Sequence, residues 1–168
     1  RQHTNVDRHR LHVGDQLIQL LVRAGGQGDH HFGNGAEIQV WLTWHDYRNA
    51  NLMILLGYIL LGHPDWEGAE LRVFAAYPKG EVEHRTEELR IMMAEGRLPA
   101  SPKNVEIIPT DDRIDFSRLV EAKSSEADLV ILGFTRERLG QKGPDLLRRN
   151  EALNEVLWVS AMEAIAME

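Results

Sequence analysis

A chain of 168 residues, 43% hydrophobic and 27% charged, is long enough for one domain with a sizeable core and too apolar to stay disordered throughout. Its formal charge of -7 disfavours binding to a nucleic-acid backbone, which needs a basic face. The absence of cysteine excludes disulfides, zinc ribbons and thiol catalysis.

The first 36 residues are the least regular. Residues 1–28 carry Arg1, Arg8, Arg10 and Arg23 against Asp7 and Asp15, a formal +2 that leaves -9 for the remainder. A basic lead into an acidic body suits a chain emerging on the cytoplasmic side of a membrane, where Lys and Arg are in excess. Chance asymmetry over so short a segment gives the same count. The chain begins at Arg1 rather than Met, as expected of a piece of a longer polypeptide. Leu17, Ile18, Leu20, Leu21 and Val22 form an apolar run fit for one helix or strand, and the glycines from Gly25 to Gly35 suit a flexible connection. Residues 1–36 therefore read as a basic, Gly-rich leading segment or linker, and 37–168 as a single α/β domain. His30 and His31 beside Asp29, with His9 and His12 upstream, are of metal-ligating type. A linker holds ligands on no rigid element, so no metal site is expected.

From Ile38 the pattern becomes regular. Ile38-Gln39-Val40-Trp41-Leu42 is β-rich and predicts the first strand. Asn49 can cap a helix running through residues 52–61 and stopping near Gly62-His63-Pro64. That helix is apolar nearly all round, which predicts burial on several sides. At ten residues its apolar run falls short of the roughly 18 that span a bilayer, and no secretory signal is present, so direct membrane insertion is not expected. Leu71 to Ala76 predict the second strand. Val82, Leu89, Met92 and Met93 give an amphipathic surface helix over 82–95. Val105-Glu106-Ile107-Ile108 predict the third strand, and Asp115 caps a helix carrying Phe116, Leu119 and Val120. Leu129 to Leu132 predict the fourth strand, Pro144 opens a helix over roughly 144–155, and Val156 to Val159 predict the fifth. A last short helix from about Ala161 is expected. Strands alternating with helices in this way imply an α/β three-layer sandwich, a five-stranded parallel sheet with helices on both faces. Right-handed crossovers favour strand order 3-2-1-4-5, with the switch point between strands one and four.

Open parallel sheets bind ligands beyond the carboxyl ends of their strands at that point. Thr43 and Asp46 after the first strand, and Gly133 and Arg136 after the fourth, are the candidate ligand-binding residues. The segment 137–143 adds Arg138, Lys142 and two glycines that can cradle a phosphate; a solvated loop is the plainer reading. No GxxxxGK[ST] or GxGxxG pattern is present. The G-x2-G-x9-G-[ST] pattern of ATP-binding universal stress proteins starts at Gly140 and Gly143 but meets Leu153 and Asn154. His45 with Asp46 can form an acid–base pair, although adjacent residues usually point apart. Asp111, Asp112 and Asp115 can hold a cation, although capping explains Asp115 more simply. The four tryptophans suit core packing. No catalytic trio emerges, and neither an enzyme nor a cofactor is expected.

Ile38 to Leu42, Asn51-Leu52-Met53-Ile54-Leu55-Leu56-Gly57-Tyr58-Ile59-Leu60, Trp66 to Phe74 and Ala127-Asp128-Leu129-Val130-Ile131-Leu132-Gly133-Phe134 together resemble the cytosolic C-terminal domain of cation–chloride cotransporters. The resemblance spans most of residues 38–160 and rests on fold-defining positions. It implies a universal-stress-protein-like fold below the membrane part of a transporter coupling chloride to sodium or potassium. It also implies a homodimer and a role in regulation, folding or trafficking, with the ions passing through the transmembrane part of the same polypeptide. The chain has room for one such α/β unit where larger family members have two. The alternative is a free-standing, nucleotide-binding protein of the universal stress type.

Overall fold

The computed structural model describes residues 6–13, 16–23, 35–43, 47–143 and 145–163. The strands are β1 (Val6–Val13), β2 (Gln16–Arg23), β3 (Glu37–Thr43), β4 (Glu70–Pro78), β5 (Val105–Thr110), β6 (Leu129–Gly133) and β7 (Glu155–Glu163). The helices are α1 (Tyr47–Leu61), α2 (Val82–Ala94), α3 (Phe116–Ser124), α4 (Arg136–Lys142) and α5 (Asp145–Arg148). From β3 onward the elements alternate as the apolar runs require, and consecutive strands are joined by helical crossovers.

Five strands form a parallel sheet ordered β5-β4-β3-β6-β7, which is the expected 3-2-1-4-5. Alternation along each strand sends successive side chains to opposite faces, so the central strands are apolar on both. Ile38, Val40, Val73, Ile131 and Val159 meet Met53 and Ile54 of α1 and Leu89 of α2 on one face. Trp41, Phe74, Val130, Leu132 and Trp158 meet Val120 of α3 and Leu146 of α5 on the other. This is the three-layer arrangement. Fully burying a side chain such as Met53 or Ile54 (both 0% exposed) contributes about 1.5–3 kcal/mol.

The sheet is wider than five strands. β2 pairs antiparallel with β7, and β1 with β2, so part of the segment expected to be a linker extends the sheet to seven strands. That pairing also decides the end of the chain. Residues 155–159 of β7 are aligned with β6, whereas Ser160 to Glu163 pair only with β2. Ala161 to Glu163, expected to open a helix, are therefore strand, and the rest of that expected helix lies outside the described residues.

Three further expectations change. The segment after β6 is a helix, because Thr135 caps it by accepting from the Arg138 backbone N–H at 3.2 Å and Gly143 at φ 59° ends it. The following helix is only the four residues of α5; Pro144 lies outside the described residues. Helix α1 is buried on one side only. Leu55 and Ile59 are 47% and 59% exposed, because no element among the described residues covers that side.

Candidate functional site

Strands β3, β4 and β5 end together at Thr43, Pro78 and Thr110, on the edge where parallel sheets bind ligands. A cavity of about 160 Å³ opens there. Its lining includes Thr43, Thr110, Asp111, Ile114, Phe116 and Arg138. Its floor is rigid for a simple reason. Trp41 stacks on Phe74 with ring centroids 4.7 Å apart and meets Phe116 edge-on at 5.8 Å, so the first residue of α3 is fixed to the sheet by aromatic packing.

The charges around the cavity are unequally matched. The Asp111 carboxylate lies 3.6 Å from Lys79 Nζ and accepts from the Arg113 backbone N–H at 3.1 Å. Arg138 is half-buried, and no carboxylate lies within ion-pair distance of it among the described residues. Nearby, the Arg149 guanidinium, partial burial and Arg138 together hold the Lys142 ammonium below the usual lysine range, with Asp115 opposing them. Among the described residues the lining offers the Arg138 guanidinium, the Asp111 carboxylate and threonine hydroxyls. On the far side of the α3 N-terminus an open depression of about 400 Å³ presents Arg118 and Arg149 with Glu121 and Glu151, a surface of mixed sign.

Beside the switch point, the exits of β6 and β7 are tied to each other and to α1 by hydrogen bonds. Phe134 donates its N–H to Val159 O at 2.9 Å. Its carbonyl accepts from Asn49 Nδ2 at 3.2 Å, and Asn49 Oδ1 accepts from the Ala161 N–H at 2.7 Å. Asn49 is therefore not the cap of α1, which begins two residues earlier at Tyr47. It is a buried strut between the exits of β6 and β7.

Of the candidate ligand residues, Thr43 lines the cavity. Gly133 ends β6 opposite Val159, and Arg136 is an exposed first residue of α4; neither lines it. Asp46 and His45 lie outside the described residues, as do His30 and His31. Asp115 does cap α3, accepting from the Ser117 N–H at 2.9 Å. Trp41, Trp66 and Trp158 are buried. Sequence reasoning placed Arg138 in a loop and did not single out Thr110. The Thr135-x-x-Arg138 spacing of an N-cap was the available signal for the first; for the second there was none short of the fold. In comparisons with models of known families and with curated proteins, the chain matches none.

Proposed function

We propose that this chain is a non-catalytic regulatory and assembly domain of a membrane transporter coupling chloride to sodium or potassium, attached to the transmembrane part of the same polypeptide. One observation carries the proposal. The four segments that resemble the cotransporter domain fall on β3, α1, β4 and β6, which are three adjacent strands and the helix packed on them. The likeness therefore occupies one contiguous block rather than scattered positions. Two features support it. No helix of the described residues is long and apolar enough to cross a membrane, which suits a domain hung outside one. Leu55, Tyr58 and Ile59 expose an uncharged apolar side of α1, which suits packing against a second copy or the membrane part.

Reading the coding region upstream of Arg1 tests this. About ten or more apolar spans of ~20 residues each are expected; a reading frame without them contradicts it. The competing nucleotide-binding reading has the right sheet edge but little room: the crevice holds about 160 Å³, below the roughly 300–1,000 Å³ of drug-sized ligand sites. Calorimetric titration with ATP decides between the two, since heat saturating at micromolar nucleotide favours the stress-type protein.

A further inference from the structure

We infer that the crevice at the ends of β3, β4 and β5 is a binding site for a small tetrahedral oxyanion of the phosphate class, with the Arg138 guanidinium as its anchor. The inference stands apart from the transporter reading and rests on four observations.

The first is size. A volume of about 160 Å³ is room for about five waters at ~30 Å³ each, and phosphate has five heavy atoms. The second is charge. Arg138 is half-buried and lacks a carboxylate or other acceptor among the described residues, and a partly desolvated guanidinium with unused donors is costly unless an anion meets it. Asp111, the one carboxylate among the described lining residues, is already met by Lys79 and by the Arg113 N–H, so it neither satisfies Arg138 nor strongly repels a ligand. The third is preorganisation. The Arg138 backbone is fixed by the Thr135 cap, and the facing wall by the Trp41–Phe116 contact. A planar guanidinium carried on that fixed backbone can engage two oxyanion oxygens at once. The fourth is the set of neighbouring polar groups. The Thr110 hydroxyl has no hydrogen-bond partner among the described residues and lines the same space. By contrast, the larger depression beside α3 mixes two arginines with three carboxylates, those of Asp115, Glu121 and Glu151, and so favours no one sign.

The same chemistry is presented by free phosphate and by the head of a small phosphate ester, and two arms separate them. The protein is titrated with inorganic phosphate and, separately, with glycerol 3-phosphate at constant ionic strength, following backbone amide shifts of Thr110, Phe116 and Arg138. Saturable shifts with a millimolar dissociation constant are expected in at least one arm, and the tighter arm identifies the source. Arg138→Gln should weaken binding at least about ten-fold, and Arg138→Lys, which keeps charge but loses the fork, about three-fold or more. Thr110→Val, a substitution away from the guanidinium, should also weaken binding while leaving the urea midpoint near that of the parent. Absence of saturable shifts up to about 20 mM of either anion, weaker than millimolar affinity, overturns the inference. So does equal binding by folded Arg138→Gln.

Discussion

Ser124 is the residue whose removal should be felt most out of proportion to its size. It is fully buried at the end of α3, and its hydroxyl both accepts from Trp41 Nε1 at 2.9 Å and donates to Gln39 Oε1. Trp41 is 0% and Gln39 4% exposed. Ser124→Ala takes away one oxygen but leaves an indole N–H and an amide oxygen without partners in a dry interior. Each orphaned group costs about 1–3 kcal/mol, so a loss of about 3 kcal/mol is expected, a large share of the ~5–15 kcal/mol that holds a domain folded. For a chain of this length that corresponds to a fall in Tm of about 6–12 °C. Urea unfolding with an unchanged slope measures it. Gln39→Met in the Ser124→Ala background removes one of the orphans, so the double variant should lose at least ~1 kcal/mol less than the two single losses combined. A loss under about 0.5 kcal/mol, or strict additivity, would refute the claim that this relay ties α3 to the sheet.

Other substitutions probe separate parts of the account. Leu55→Glu with Ile59→Glu should leave stability within about 0.5 kcal/mol by urea unfolding, because both side chains are about half exposed; a loss above 2 kcal/mol means that α1 is covered on that side. Gly57 faces Leu71 so closely that an added Cβ lies 2.8 Å from Leu71 Cδ1. Gly57→Val should cost about 2–3 kcal/mol in thermal unfolding, whereas Gly57→Ala should come nearer neutral as helix propensity offsets a small shift of the leucine. Asn150 sits at φ 63° and accepts from Ser117 Oγ at 2.6 Å. Asn150→Ala is expected to cost about 2 kcal/mol and Asn150→Gly less, since glycine adopts that backbone freely. Glu87 is held below the usual glutamate range by its hydrogen bond from Arg90. A lowered folded pKa means stability present above the ordinary glutamate range and lost as pH falls through the folded value. NMR titration should therefore place the Glu87 midpoint below those of other exposed glutamates, and Arg90→Ala should bring it back.

The parallel sheet was legible in the amino acids because strands covered on both faces have little choice of composition. Ile38 to Leu42 and Leu129 to Leu132 are near-continuous apolar runs, and such runs separated by helical lengths admit few topologies. The hairpin was hidden for the opposite reason. β1 carries Asp7, Arg8, His9, Arg10 and His12, so it shows no apolar alternation. The signal available was Gly14-Asp15 between Val13 and Gln16, a pair suited to a two-residue hairpin loop, with Val13 and Gln16 paired across it. Missing the hairpin also cost the end of β7, since Ala161 to Glu163 are strand only because β2 lies beside them. The cavity was half legible. Thr43 follows from the rule that ligands bind at strand ends. Arg138 enters because α4 forms, and Gly140 and the many charges of 136–142 disguised that helix as a loop. Asn49 was given the right neighbourhood and the wrong partners. Caps are local, whereas its bonds to Phe134 and Ala161 cross from α1 to residues far along the chain.

Ion uptake by the full polypeptide tests the central claim most directly. The gene product carrying this domain, reconstituted in lipid vesicles, should take up rubidium or sodium only when chloride is present. Deleting residues 37–168 should change the rate or the assembly of the transporter while leaving the requirement for chloride intact. Cation uptake indifferent to chloride, or a gene product that transports nothing and binds ATP instead, contradicts the account.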